Sequence, residues 1–493
     1  MCDNYIKMIY RIVLLERKLF MKSLKEIYHH KNFSLRKVRY LEPVFNNRPA
    51  ILSDETFRER KNKLLQAMKD NGVDLVFVYA DREHGANFEY LTGFIPRFEE
   101  AMLAIASTGE AILFLGNENV KMAPHSRMKA QLVHVPYFSL PNQPMENDRS
   151  LRDIISDAID FRGKTIGIIG WKVFTSHFED NRQLFDVPYF IVDILQRLAK
   201  EHGGEAMNAS TLFMGENGGI RTTNNANEIE HYEYGSSLAS DCVLDVLNQV
   251  EIGKTEMELA SSLSAFGQPH NVTAICATGD RFTNAVIYPR NKAVQLGDKF
   301  SATTGFKGGL ASRSGYVVNN TEELPADVQD YLERAAIPYY AAVVAWLEQI
   351  KIGMKGGELY EIIEEVLPKE DYHWHLNPGH LTADEEWLSS PVYPQSSTEL
   401  KSGMLLQIDI IPSVQGYAGA SAETGIALAD EQLREEIREN SPELWERILK
   451  RRDYIEKELH IRLHPEVLPL SDTVGYCRPY LLNKESALLF HRE

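Results

Sequence analysis

Cysteine is scarce: Cys2, Cys242, Cys276 and Cys477 are the only four in 493 residues, and no two stand in a Cys-x-x-Cys pair. This spacing excludes a zinc knuckle and a disulfide framework, and fits a reducing, cytoplasmic setting. Long apolar runs are also missing. The run Ile12-Val13-Leu14-Leu15 is broken at once by Glu16-Arg17-Lys18, too short for a signal core or a membrane span. Positive charge is the third deficit, with 53 Lys and Arg against 70 Asp and Glu, a net of -17. Only the first forty residues are basic, so neither nucleic acid nor a membrane surface is an expected partner. Short-period repeats and low-complexity tracts are absent as well. The remainder, 44% apolar and 25% charged, is ordinary globular composition in a chain long enough for two or three domains.

Periodicity divides the chain further. In "LSDETFRERKNKLLQAMKDNG" Ser53 is positioned to N-cap a helix that Asn71-Gly72 closes. The apolar run "VDLVFVYA" reads as a buried strand, and "AMLAIASTGEAILFLG" as a hairpin turning at Thr108-Gly109-Glu110. Helix-like "LRDIISDAIDF" and strand-like "KTIGIIG" continue the alternation. The expected fold class is α/β (α+β), with a basic extension over 1–49, a mixed α/β domain over 50–214, a second domain over 215–430, and a helix and tail over 431–493. A helix over 226–250 opens the second domain. Strands at "VTAICATG", "KFSATTGFKGG", "MLLQIDIIP" and "ETGIALAD" follow, with helices between them.

The densest cluster of metal-type side chains is "DYHWHLNPGHLTADEEW", with His373, His375 and His380. His373 and His375 are expected on one face of a strand, and His380 beyond the Asn377-Pro378-Gly379 turn. Three such histidines could hold zinc only if they converge. Hydrogen-bonding loop histidines are the simpler reading.

Order along the chain is more informative. Asn227-Glu228-Ile229, Gly253-Lys254-Thr255-Glu256, Gly297-Asp298, Gly379-His380, Gly403-Met404 with Asp409, and Glu423 follow one another as they do in the creatinase, aminopeptidase P and methionine aminopeptidase family. The resemblance runs over about 215–430. Upstream, "VDLVFVYADREHGANFEYLTGFIPRFEEAMLAI" is similar to the N-terminal domain of creatinase and aminopeptidase P. The implied fold is a creatinase-like N-terminal domain followed by a pita-bread domain, in a homodimer.

Peptidases of that family hold two divalent ions with two Asp, one His and two acidic residues. Here the first Asp position falls on Thr303 and the second on Arg313 or Ser314, none of them an anionic ligand. A family histidine is also missing near Ile287 or Tyr288, and another is replaced by Trp387. His380, Asp409 and Glu423 remain. The resemblance therefore implies a hydrolase of an amide or other C–N bond in a small molecule or short peptide, Xaa-Pro peptidase-like or creatinase-like, without the dinuclear centre. His380 would act as acid/base with Asp409 and Glu423. Arg313 would neutralise the carboxylates or bind an anionic group, and Arg97 and Trp387 would contact substrate. Two alternatives stand beside it: a catalytically silent pita-bread binding protein, and a single-metal hydrolase with one divalent ion on His380, Asp409 and Glu423.

Overall fold

The computed structural model describes residues 23–145, 149–279, 281 and 288–492. The start of the basic extension, up to residue 22, and Ile287 lie outside the described residues. Two compact units divide the chain. One comprises residues 49–231 with 383–389, and the other residues 232–382 and 390–493 with those up to 48. The division falls inside the Ala226–Gln249 helix rather than at 214/215. The Gly-rich segment before that helix is bonded into the first unit, where Tyr90 Oη donates to Ile220 O and Arg221 Nη1 to Asn87 Oδ1.

In the first unit the Asp54–Asp70 helix starts at Ser53, whose hydroxyl accepts Thr56 N–H. It leads to β1 (Leu75–Ala80), β2 (Ala101–Ala106), β3 (Ala111–Leu115), β4 (Gln131–His134), β5 (Thr165–Ile169) and β6 (Glu205–Asn208). These strands form one sheet in the order β4-β3-β2-β1-β5-β6. β2 is antiparallel to both β1 and β3, and the remaining pairs are parallel. Every residue of β1 is buried, as expected for a central strand covered on both faces. Leu75, Phe77 and Tyr79 join the core that includes Ile191 and Leu195 of the Tyr189–Glu201 helix, while Val76 and Val78 point the other way.

The second unit contains β7 (Ile275–Thr278), β8 (Lys299–Phe306) and β9 (Gly309–Tyr316), all antiparallel. The β8–β9 hairpin turns through Lys307 and Gly308, with Gly308 at φ +107°. A Cβ there would overlap Tyr232 O, so only glycine lets the turn lie against the Ala226–Gln249 helix. The buried face of that helix, through Leu238, Cys242 and Val246, packs on Cys276, Phe300 and Ala302. A second sheet is ordered β10 (His380–Leu381), β11 (Leu405–Gln407), β12 (Gly425–Leu428) and β13 (Val467–Pro469), antiparallel throughout.

The segment after 430 is not a separate tail. Its helices, Glu431–Asn440 and Pro442–Lys457, are split at Ser441-Pro442, because proline supplies no N–H and is tolerated only in a first turn. The chain then returns as β13 and as Ser486–Phe490, which pairs antiparallel with Phe33–Lys37. Residues 33–37 are thereby part of the second unit. No helix among the described residues is long and apolar enough to cross a membrane.

Candidate active site

Strand register brings the candidate residues together. His380 on β10 is paired with Gln407 on β11, and Gln407 with Gly425 on β12. Extending the β11–β12 register by two residues sets Asp409 opposite Glu423, and the bond Ile408 N–H to Thr424 O at 3.0 Å keeps that register. Gln407 and Asp409, two apart, share a strand face.

His380 is fully buried and Asp409 nearly so. His380 Nδ1 lies 3.2 Å from Leu381 O, and Nε2 lies 3.9 Å from Asp409 Oδ2. A carbonyl can only accept, so the Nδ1 contact assigns the proton to Nδ1 and leaves Nε2 as the basic nitrogen. Glu423 is partly exposed, and its backbone carbonyl accepts Ser312 N–H at 3.2 Å. That bond joins the β8–β9 hairpin to the His380 sheet. Two further bonds do the same: Gln407 Nε2 donates to Leu310 O at 2.9 Å, and Thr382 Oγ1 to Gly308 O at 3.4 Å.

Within the hairpin, Thr303 pairs with Ser312 and their hydroxyls are 2.8 Å apart. Alternation puts Thr303, Ser312 and Ser314 on one face and Arg313 on the other, beside its partner Ala302. Ser314 therefore shares the face of Thr303, and Arg313 does not. The Arg313 guanidinium is buried and donates to the carbonyls of Ser312 (2.7 Å), Glu423 (2.9 Å) and Thr473 (2.6 Å). Burial lowers its pKa below the ordinary arginine range.

The other candidates have simpler surroundings. His373 is not on a strand. It caps the Lys369–Tyr372 helix in the left-handed region at φ +48°. His375 makes an isolated bridge with Ile411, and both imidazoles are exposed. Arg97 is exposed, with its guanidinium 4.8 Å from the Phe98 ring centre. Trp387 is 37% exposed. In the first unit, Arg221 forms ion pairs with Asp384 (3.1 Å) and Glu385 (2.5 Å). Cys276 is buried in the core, and burial pushes its thiol up to about 12, which suits a packing role.

Sequence reasoning missed Gln407 and Ser312. Gln407 is fully buried, bonds to β9, and holds Nε2 3.5 Å from Glu423 Oε1. The available signal was alternation, since Gln407 stands two positions before Asp409. Ser312 could be found only from the hairpin register.

A mixed α/β domain followed by two small antiparallel sheets that meet over a His, an Asp and a Glu defines the class of pita-bread proteins. Residues 60–200 match the family model described as Creatinase/Prolidase N-terminal domain. Solved structures with the same fold include an Xaa-Pro dipeptidase from Bacillus anthracis, at 15% identity and TM-score 0.57, covering 76% of this chain and 96% of that one. Prolidase from Pyrococcus furiosus matches at 18% identity and TM-score 0.54, covering 74% and 96%. Recombinant prolidase from Thermococcus sibiricus matches at 16% identity and TM-score 0.60, covering 76% and 95%. No curated protein matches the chain by sequence. Residues 60–200 are thus similar to the creatinase and prolidase N-terminal domain, and the chain shares the fold of these solved structures.

Proposed function

We propose that this protein hydrolyses an amide or related C–N bond in a small molecule or short peptide, with His380 moving the proton. The observation that carries the reading is the buried imidazole, held at Nδ1 by Leu381 O and facing Asp409 with Nε2. Nε2 takes a proton from the attacking water and returns it to the leaving nitrogen, while the Asp409 carboxylate stabilises the intervening imidazolium. Glu423, the more accessible acid, orients the water or a substrate amine. Arg313 positions Glu423 through its carbonyl, a different role from the anion-binding one expected from sequence. Arg97 and Trp387 stay as proposed substrate contacts, and a cytoplasmic homodimer as the proposed assembly.

The donor set bears on metal. Two carboxylates and an imidazole suffice for one divalent ion, whereas Thr303 and Ser312 offer neutral hydroxyls bonded to each other, which supports no second ion. If one ion is held by His380, Asp409 and Glu423, it supplies a water of lowered pKa. The self-satisfied hydroxyl pair is also the observation that favours a silent binding protein.

Elemental analysis and a panel of Xaa-Pro dipeptides and small amides separate these readings, using wild type and His380→Gln. The expected result is wild-type turnover that falls at least about 100-fold in the variant, with unchanged circular dichroism. Stoichiometric metal lost in the variant establishes the one-ion form. Wild-type protein that holds no metal and turns over nothing in the panel refutes the hydrolase and leaves the binding protein.

A further inference from the structure

The first unit carries a hollow of ≈ 430 Å³, lined by Asp81, Glu99 and Glu100 together with Phe98, Tyr137 and Phe190. Its acids are placed by the sheet. Ala80 pairs with Ala101 at the end of β1–β2, and the next pair in register sets Asp81 against Glu100, two like charges across a ladder. Asp81 is satisfied locally, accepting the N–H groups of Glu83 and His84 and contacting His84 Nδ1.

Glu99 is different. It is only 3% exposed, and its Oε2 accepts Glu118 N–H at 2.9 Å and Asn119 N–H at 3.2 Å. A Cβ on Gly116 would come within 2.7 Å of that oxygen, so the glycine leaves room for the carboxylate. Its other oxygen, Oε1, is buried and has no hydrogen-bond partner among the described residues. A buried acceptor without a donor is costly, and more so when charged. Glu100 is half-buried, and its pKa is raised by burial, then by Asp81 and Glu99. Neither glutamate has an ion pair among the described residues; nearby Arg97 stacks on Phe98 instead. At the rim Phe98 is 54% exposed, and Tyr137 and Phe190 are each 37% exposed, leaving aromatic surface available to a cation.

We infer that this hollow binds an organic ammonium group, with Glu99 Oε1 as its buried acceptor, Glu100 as the second counter-charge and the aromatic rim around the alkyl stem. The inference is independent of the His380 site. The shared chemistry is an alkylammonium, from either a lysine side chain of a peptide or a free small amine.

Titration calorimetry with two probes distinguishes those sources: lysine blocked at both backbone ends, and n-butylamine. Norleucine blocked in the same way, which lacks the ammonium, is the neutral control. Saturable binding of blocked lysine, at least ten-fold tighter than the norleucine control and at least ten-fold weakened in Glu99→Gln, is expected. Tighter binding of blocked lysine than of n-butylamine assigns the peptide source, and the reverse assigns the free amine. Glu99→Gln keeps an acceptor for the Glu118 and Asn119 N–H groups. If it fails to fold, Glu100→Gln at the more open position carries the test with the same expected loss. Equal binding of the neutral control, unchanged affinity in a folded variant, no binding of either amine, or calcium alone saturating the site and displacing the amine would each overturn the inference.

Discussion

Glu233→Gln should cost the second unit about 3 kcal/mol. The carboxylate is fully buried and receives Arg447 Nε at 3.1 Å and Nη2 at 2.8 Å, Arg451 Nη1 at 2.7 Å, and Asn47 Nδ2 at 2.7 Å. Removing one partner of a buried ion pair typically costs about 3–5 kcal/mol, because the opposite charge stays behind unmatched. Here Arg451 keeps Asp472 at 2.7 Å, which places the expectation at the lower end. Burial alone would raise the Glu233 pKa, but Arg451, Arg447 and Asn47 together hold it below the usual carboxylate range. A depressed folded-state pKa contributes stability that is present above the unfolded value and lost as pH falls through the folded one. The gap between wild type and variant should therefore be constant from pH 7 down to about 4.5, then narrow. Urea unfolding at a series of pH values reads both quantities. A gap below about 1 kcal/mol at pH 7, or one that widens on acidification, would refute the reasoning.

Asp241 should show the opposite sign. Burial raises its pKa to about 6, against the opposing N–H donors of Phe45 and Val44, so its contribution to stability is full below the unfolded value and declines as pH rises towards 6. Asp241→Asn should flatten that part of the urea-stability profile; an unchanged slope between pH 4 and 6 would count against it. Gly308→Ala should lose at least about 3 kcal/mol, since the overlap with Tyr232 O adds to the strain of φ +107°. Thermal unfolding of the purified variant within about 1 kcal/mol of wild type would show that the turn can shift away from the helix.

Much of the fold was legible because local and long-range preferences agree. Ser53 caps its helix, β1 is an unbroken apolar run, and "STGE" turns the β2–β3 hairpin as read. Failures came where tertiary pairing decides. Nothing near Phe33 shows that its partner is Phe490, and nothing in the Gly- and Asn-rich stretch before the Ala226–Gln249 helix shows that side chains of the first unit bind it. In the candidate site, His380, Asp409 and Glu423 were legible from their order along the chain, and register now sets Asp409 against Glu423. Arg313 was harder, because one gap in the hairpin turn moves the face of every residue after it. The chemistry of a residue type is visible in sequence, but its direction is not.

The ribbon of Phe33–Lys37 on Ser486–Phe490 also has a mechanical consequence. Phe33 is paired with Phe490 and Lys37 with Ser486, so the two flanking chain segments leave from the same end of the ladder. Tension applied through those segments would load one residue pair at a time and peel the ribbon open like a zipper, instead of shearing all five pairs at once. The second unit should accordingly yield in two stages, its seam first at low force and its sheets afterwards at a higher one.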